Sequence, residues 1–374
     1  MQLCFCIETI MPESPKLADV ATAAGVSVTT ASVVLNHGKQ YDRISKDCVR
    51  RVNQAAEDLG YVPNYQMRTV RTGKTQTVGL VIELVDNPDQ LANPRRSSRY
   101  YFHQIADGIQ TALTPHGYYL MQIWPSPERS AIERGIRATK SKRIDGMIAL
   151  QLSSDTQAKK LMEESLNIPI ISLEERQLTC IPTILFDEMD GITQLIEHLY
   201  EKGHRKMLWL SADTTRPNRF VERERHMLKV MASKGCQCEF CPYPEPTKPE
   251  DFYEPNLIET AREQVAKRLK KPYDFTAVIC YSDIIAIGAH RAILQAGLRI
   301  PEDLSLTGYD ALFHEYLTPR LTTIDHRMFD MGLQAGKVMM KMLKGGRNAI
   351  RDMQNTIAMI QPELVVGDSV KQLS

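Results

Sequence analysis

The side chains between residues 27 and 36 carry hydroxyl, amide and methyl groups at the spacing of one helix. Valine methyls match the methyl group of thymine, whereas serine, threonine and asparagine form hydrogen bonds with phosphates and base edges. Val28 and Val33 would lie on the exposed face of a polar-flanked helix, where no core takes them up. The pattern therefore predicts contacts in the DNA major groove, with bases for Val28, Thr29, Ser32 and Val33 and with phosphates for Ser27, Thr30 and Asn36.

Residues 17–35 predict the two short helices that would position this surface. From Leu17 onward, the apolar residues of the first helix recur at i, i+3, i+4 and i+7 and form one face. Gly25 supplies the left-handed residue that ends this helix, and Ser27 caps the next one. A DNA-binding helix-turn-helix and an ordinary hairpin of two helices both fit this window alone.

The next residues predict a third helix and a short hinge. The third helix begins at Ser45 and has one apolar face. Pro63 disfavours helix at the residue before it, so that residues 61–64 form an extended break. Asn64 then caps residues 65–71, a segment too short to stay helical alone in water. We interpret this segment as a hinge helix that folds only when a partner holds it.

From Thr77 onward, apolar strands alternate with amphipathic helices. This order is typical of parallel sheets that are covered by helices on both faces, and it predicts an α/β core after the all-α headpiece. The strands are expected at 77–85, 118–124, 145–150, 168–173, 206–211, 276–281 and 304–309, and the helices at 101–115, 128–141, 156–165, 219–234 and 283–297.

Several motifs, in this order, resemble the lactose-repressor/galactose-repressor (LacI/GalR) family of transcription regulators. The motif AxxAGVSxxTxSxxLN is followed by LGYxPN, EKGHRKMLWL, YSDIIAIGAHRAILQAGLRIPEDLSLTGYD, PRLTTI and PELVV. They cover essentially the whole chain from Lys16 to Ser369. The resemblance implies a helix-turn-helix headpiece, a hinge helix and two periplasmic-binding-protein-like lobes with parallel, doubly wound sheets. It also implies that the chain crosses between the lobes three times, so that helix 327–344 returns to the first lobe.

The 374 residues then divide into a headpiece, a hinge and two lobes. Residues 16–75 hold nine lysines and arginines against five acidic residues, a net charge of +4, whereas the remainder carries −3. A basic end on a slightly acidic body favours phosphate contact by the headpiece. The predicted domains are the headpiece 16–63, the hinge and linker 64–76, the first lobe 77–182 plus 312–346, and the second lobe 183–311 plus 347–374.

A small-molecule effector is expected in the cleft between the lobes. Ligands of open α/β sheets lie beyond the carboxyl ends of the strands, which suits Asp283, directly after a predicted strand. The resemblance implies an arginine and two aromatic side chains as further contacts and favours a sugar over a purine. The basic loop 86–100 is interpreted as a solvated loop, with the admission of an anionic effector as the alternative. The predicted effector contacts are Tyr101, Phe102, Trp124, Arg223 (with Arg219 as the alternative arginine) and Asp283.

Other functions are less well supported by the sequence. Cys236, Cys238 and Cys241 lack the further ligands of a zinc site, so thiols on a strand are the preferred interpretation, and neither metal nor cofactor is predicted. The enzyme motifs GxSxG, HExxH, P-loop and GxGxxG do not occur. Three classes stay open: a ligand-controlled regulator, favoured and by analogy a repressor rather than an activator; a solute-binding receptor; and an enzyme on the two-lobed scaffold.

The sequence also bears on location and partners. No apolar run approaches the roughly 20 residues that span a bilayer, and residues 1–10 lack the leader and cleavage site of a signal peptide. We therefore expect a cytoplasmic protein with reduced thiols, no membrane partner and Met11 as the natural start, which N-terminal mass spectrometry would test. The expected partners are a pseudo-palindromic DNA operator, the effector and a second copy in a homodimer. We add Leu17, Ser45, Asn64 and Val70 to the DNA-binding set.

The first prediction concerns Val70, where the family commonly has a leucine that wedges between base pairs and kinks the minor groove. Valine is shorter by one methylene, roughly 0.8 kcal/mol of apolar burial, and its β-branch lowers helix propensity. We expect Val70→Leu to tighten operator binding by about 1–2 kcal/mol per dimer, and Val70→Ala to weaken it and reduce DNA bending. Affinity and bend angle are measured by gel shift. If neither substitution changes them, this hinge does not intercalate.

Overall fold

The computed structural model describes residues 15–36, 40–63, 69, 72–82, 98–126, 128–150, 155–165, 168–173, 178, 180–211, 219–242 and 254–373. Two compact units are present, residues 1–75 and residues 76–374. Asn64, Val70 and most of the predicted hinge lie outside the described residues, as does most of the loop 86–100.

The described part of the first unit is helical. Gly25 adopts the left-handed conformation, with φ of 63°, and ends the first helix. The hydroxyl oxygens of Ser27 and Ser45 accept hydrogen bonds from the backbone N–H of Thr30 and Cys48 and so begin the next two helices. The apolar faces of the three helices pack into one small core, which confirms the predicted helix-turn-helix. The helices are α1 (Leu17–Ala24), α2 (Val28–Leu35) and α3 (Lys46–Asp58), with a 3-10 turn at Tyr41–Arg43.

The second unit alternates strands with helices, as the sequence predicts. Its described strands are β1 (Thr77–Ile82), β2 (Tyr119–Ile123), β3 (Gly146–Leu150), β4 (Ile170–Leu173), β5 (Thr183–Phe186), β6 (Lys206–Ser211), β7 (Gln237–Pro242), β8 (Ala277–Cys280), β9 (Ser305–Thr307), β10 (Thr323–Asp325), β11 (Ile357–Ile360) and β12 (Glu363–Val365). Its described helices are α4 (Ser98–Leu113), α5 (Ala131–Lys140), α6 (Asp155–Glu164), α7 (Glu188–Glu201), α8 (Arg219–Ser233), α9 (Glu254–Leu269), α10 (Asp283–Gln295) and α11 (Met328–Met353).

These strands form two parallel sheets, one in each lobe. The first sheet has the order β11-β5-β4-β3-β1-β2 and the second has the order β7-β6-β8-β9. Strands β10 and β12 form a separate antiparallel pair. The chain leaves the first sheet after β5, returns to it through α11 and leaves it again after β11. The three expected crossings are therefore present.

Three strands lie in a different lobe from the predicted one. Residues 323–325 were expected in the first lobe, but β10 pairs with β12 and its Ile324 packs in the core of the second lobe. Residues 183–186 and 357–360 were placed in the second lobe, but β5 pairs with β4, and β11 pairs with β5, in the first sheet. Strand membership depends on backbone hydrogen bonds between distant segments, which local hydrophobic pattern does not report. The first segment of the first lobe therefore extends to about residue 186, and residues 357–360 also belong to this lobe.

Helix α11 returns to the first lobe, as the resemblance implied, and packs against α4. The backbones of the two helices touch at Gly332, where a side chain would not fit: a Cβ atom there would lie 2.1 Å from the carbonyl oxygen of Ile105. A Cβ on Gly108 would lie equally close to the carbonyl oxygen of Phe329. The helix runs beyond the predicted residue 344 and is interrupted by non-helical backbone at Gly346.

The length and composition of the helices bear on whether one of them could span a membrane. Among the described residues, no single helix combines the necessary length and apolar composition, and α1 with α2 meets the test only as a pair bent by 103°.

A buried histidine ties the second sheet to the C-terminal segment. The Nδ1 atom of His204 lies 2.7 Å from the hydroxyl of Thr276, and its Nε2 atom lies 3.1 Å from the hydroxyl of Ser305. The backbone N–H of Lys371 donates to that same hydroxyl of Ser305. Burial lowers the pKa of His204 to about 4, so the ring is neutral in the folded protein at neutral pH.

The second prediction is that His204 makes the core less stable in mild acid. Between pH 6.5 and about 4, the unfolded chain binds a proton at His204 that the folded protein excludes, so the free energy of unfolding falls as the pH falls. His204→Gln should remove this part of the pH dependence, measured by urea unfolding at about pH 7 and about pH 5. His116→Gln, at an exposed position, is the control. Equal slopes for His204→Gln and the wild type would contradict the prediction.

Candidate functional site

The predicted base-contacting residues lie on α2 of the headpiece. Val28 is 49% exposed although its side chain is apolar. Ser27 and Thr29 are also exposed, whereas Thr30, Ser32, Val33 and Asn36 are partly buried. The opposite face of α2 packs into the headpiece core through Ala31 and Val34. The described residues of α2 thus present methyl and hydroxyl groups on one outward surface.

Hydrogen bonds within the chain hold several of these polar groups. The hydroxyls of Ser27 and Thr30 lie 2.9 Å apart, and the Asn36 side-chain amide donates to the carbonyl oxygen of Ser32 at 2.9 Å. Leu17 packs against the headpiece core. Their roles at DNA stay predictions, but these side chains are held in place before DNA arrives.

A second cluster of polar groups lies at the carboxyl edge of the second sheet, around Arg223. The guanidinium forms a two-pronged ion pair with Glu188, with Nε 3.2 Å from Oε2 and Nη2 3.3 Å from Oε1. Its Nη1 donates to the carbonyl oxygen of Tyr281 at 2.9 Å, and its Cζ lies 3.9 Å from the centroid of the Tyr309 ring. Burial is the largest single influence and acts to lower the pKa of Arg223, but Glu188, Tyr309 and Asp310 together outweigh it and the net pKa is raised. The arginine therefore ties together α7, α8 and the ends of β8 and β9.

Asp283, the second predicted effector contact, is enclosed by its own lobe. Its Oδ1 accepts from the Thr323 hydroxyl at 2.6 Å, and its Oδ2 accepts from the backbone N–H of Phe313 at 3.1 Å. A Cβ on Gly308 would lie 2.2 Å from Oδ1. Burial raises the pKa of Asp283 to about 6, although these hydrogen bonds act to lower it. The residue follows a strand as predicted, but its carboxylate turns toward β10 and not toward an open cleft.

Asp310, which the sequence analysis did not single out, is more accessible at the same edge. It lies just beyond β9, its side chain is 22% exposed, and its Oδ1 is 3.5 Å from Nδ1 of His326. Its φ of 105° is uncommon for a residue other than glycine. The signal that could have found it is the one used for Asp283, because Asp310 ends the motif GYD directly after a predicted strand.

His326 joins the two lobes through aromatic contacts. Its ring stacks on Phe186 of the first lobe, with the ring centroids 4.3 Å apart. On its other side it makes an edge contact with Tyr309 of the second lobe at 4.8 Å. Because Arg223 lies on the same tyrosine, these rings form a continuous column from the first lobe to the Arg223–Glu188 ion pair.

Two of the predicted aromatic contacts, Phe102 and Trp124, pack in the core of the first lobe. Phe102 is buried in the core of the first lobe and makes an edge contact with Trp124, with centroids 6.2 Å apart. Phe102 is 4% exposed, so it supports the lobe and offers no exposed ring for stacking. Trp124 is partly buried against the same core. The side chains of Tyr101 and Arg219 lie outside the described part of the structure.

The three clustered cysteines lie on or next to β7, which confirms the predicted strand. Burial raises the pKa of Cys238 to about 12 and that of Cys241 to about 11. Within the described ranges, no three histidine, cysteine or acidic side chains are grouped closely enough to hold a metal ion. These thiols belong to the packing of the second sheet.

Family models match two parts of the chain. The model of bacterial regulatory proteins of the lacI family matches residues 16–64, and that of the periplasmic binding protein-like domain matches residues 196–370. The first match covers the helix-turn-helix, and the second covers most of the second lobe and the return through α11.

Whole-length similarities agree with these matches. The HTH-type transcriptional repressor PurR of Vibrio atlanticus is 24% identical over 360 residues, which cover 96% of this chain and 99% of that protein. PurR of Haemophilus influenzae is 26% identical over 365 residues, with the same coverage. In fold, the chain resembles the lac repressor dimer bound to operator and the anti-inducer ONPF (TM-score 0.74, 22% identity, 96% of this chain and 100% of that one). It also resembles the complex of the transcriptional regulator CelR with cellobiose (TM-score 0.58, 22% identity, 95% and 99%).

The two family models match in the order of the observed architecture, which is a helix-turn-helix followed by two parallel sheets. The chain is a DNA-binding transcriptional regulator that joins a lacI-family helix-turn-helix domain to a periplasmic binding protein-like domain.

Proposed function

We propose that this protein is a transcriptional repressor that reads a pseudo-palindromic operator with α2 of its headpiece. The observation that carries the proposal is the outward face of α2, where the apolar side chain of Val28 is half exposed beside the hydroxyl of Thr29. A valine in that position suits a thymine methyl in the major groove. The lacI-family model covers these same residues.

The operator implies a homodimer. A pseudo-palindrome offers two half-sites related by a twofold axis, and a dimer with the same symmetry places one headpiece on each. The lac repressor in the similar structure is a dimer bound to its operator. A repressor acts on DNA in the bacterial cytoplasm, which is the location we propose.

We infer that a small molecule at the carboxyl edge of the second sheet sets the operator affinity, with a sugar favoured. Among the described residues there, Glu188 and Asp310 keep 17% and 22% of their side chains exposed. Carboxylates accept hydrogen bonds strongly, and the hydroxyl groups of a sugar would donate them. The similar CelR structure is a complex with cellobiose. A thermal-shift panel of sugars and nucleobases identifies the effector, because binding to the folded state raises apparent stability.

The third prediction concerns the operator sequence. Residues 28–36 contain no lysine or arginine, and arginine paired with guanine is the commonest specific contact. The half-site core selected from random DNA should therefore consist mainly of A·T pairs. Val28→Ala should weaken binding to that site by about 1 kcal/mol per half-site, whereas Val366→Ala, at an exposed valine of the core, should not. A selected core dominated by G·C pairs would contradict this assignment.

The fourth prediction separates the two aspartates. Asp310→Asn should weaken the response to the effector by about tenfold or more, because a charge-assisted hydrogen bond contributes roughly 1.5–3 kcal/mol. Asp283→Asn should leave the response near wild type, since both of its oxygens serve contacts inside the lobe. The measurement is operator release as a function of effector concentration. A loss confined to Asp283→Asn would favour the assignment made from the sequence.

A further inference from the structure

Arg223 is the only lysine or arginine among the described residues that the structure buries almost completely, and it is already neutralised from within the chain. Glu188 bonds both Nε and Nη2, and the carbonyl oxygen of Tyr281 accepts from Nη1. The face of the guanidinium lies on the ring of Tyr309. A carboxylate therefore already holds the two-pronged position in which arginine binds an anionic ligand.

The exposed side of this pair is the acidic one. The side chain of Arg223 is 1% exposed, whereas that of Glu188 is 17% exposed. A ligand that approaches the pair from solvent therefore contacts the carboxylate of Glu188, which covers the guanidinium of Arg223.

Negative charges outnumber positive ones around Tyr309. The pKa of its phenol is raised, first by burial and then by Glu188, Asp310 and Asp187, whereas Arg223 acts to lower it. The carboxylate of Asp187 also accepts a hydrogen bond from the backbone N–H of Asp190 at the start of α7, which fixes its position beside the pair. Three carboxylates thus act on the Tyr309 ring, against one guanidinium that is already paired with Glu188. The described side chains around the pair therefore repel an anion and suit a hydrogen-bond donor.

We propose that Glu188 is a specificity-determining residue: its carboxylate occupies the place at Arg223 where an anionic effector would bind, and so restricts the effector to uncharged or cationic hydrogen-bond donors. This inference rests on the proposed effector control and deepens it. It excludes sugar phosphates and sugar acids, the class that the basic loop 86–100 left open in the sequence.

The first experiment uses the full-length wild type and pairs of probes that differ only in charge. Each sugar of the thermal-shift panel is compared with its phosphate ester, at an ionic strength matched with chloride. The sugar that stabilises the protein should bind at least tenfold more tightly than its phosphate ester, as measured by calorimetry. A phosphate ester that binds as tightly as the free sugar, or more tightly, would overturn the proposal.

The second experiment removes the carboxylate of Glu188 and tests whether a free carboxylate binds in its place. In Glu188→Ala, acetate should fill the space beside Arg223 and stabilise the variant in a saturable manner, with no such effect on the wild type. The double variant Glu188→Ala/Arg223→Met should lose the acetate effect, which separates it from anion binding by the headpiece. Glu197→Ala is the matched control, because Glu197 lies on the same helix and pairs with Lys234 at the surface.

The outcomes distinguish an error in the role of Glu188 from an error in the proposed function. If neither Glu188→Ala nor the size-conserving Glu188→Gln gains affinity for acetate or inorganic phosphate, Glu188 does not close an anion site and the inference is wrong. Glu188→Gln serves in place of Glu188→Ala if the alanine variant does not fold. Operator binding is measured in the same preparations. A wild type that distinguishes sugar from sugar phosphate but binds no operator would contradict the proposed function and not the role of Glu188.

Discussion

The ion pair between Arg223 and Glu188 is the constraint on which the carboxyl edge of the second sheet depends. A buried guanidinium is tolerated only when its charge and N–H groups are matched, and removing one partner of such a pair costs roughly 3–5 kcal/mol. The pair draws the start of α7, the middle of α8 and the ends of β8 and β9 to one point. The effector site that we propose is therefore organised around a charge pair that belongs to the protein itself.

From this pair, contacts continue into the other lobe. Tyr309 touches Arg223 on one side and His326 on the other, and His326 stacks on Phe186 at the end of β5. Phe186 belongs to the core of the first lobe. Packed rings transmit displacement because protein interiors are close-packed and change between discrete arrangements. A ligand that moves Glu188 or Asp310 would thus act on the segments that join the lobes.

The sequence predicted what local chemistry determines. Gly25, Ser27 and Ser45 ended and began the headpiece helices as expected, and the alternation of strands and helices gave both sheets. Prediction from the sequence failed where a contact with a distant residue determines the position of a side chain or strand. Asp283 and Asp310 both follow strands, and only the hydroxyl of Thr323, forty residues away, shows which carboxylate is enclosed. For the same reason β5, β10 and β11 were assigned to the wrong lobe, and the pairing of Arg223 with Glu188 was not foreseen.

The path of the chain between the lobes also determines when each lobe can be completed during synthesis. The first sheet lacks an edge strand until β11 has left the ribosome, and α4 has no covering helix before α11. The second lobe waits for β12 and for Lys371, which joins the network of His204. The headpiece, in contrast, is contiguous, because its core is formed by residues between Leu17 and Tyr61. A nascent chain therefore carries a finished DNA-binding unit ahead of an unfinished core with exposed apolar surface, which makes it a natural client of chaperones.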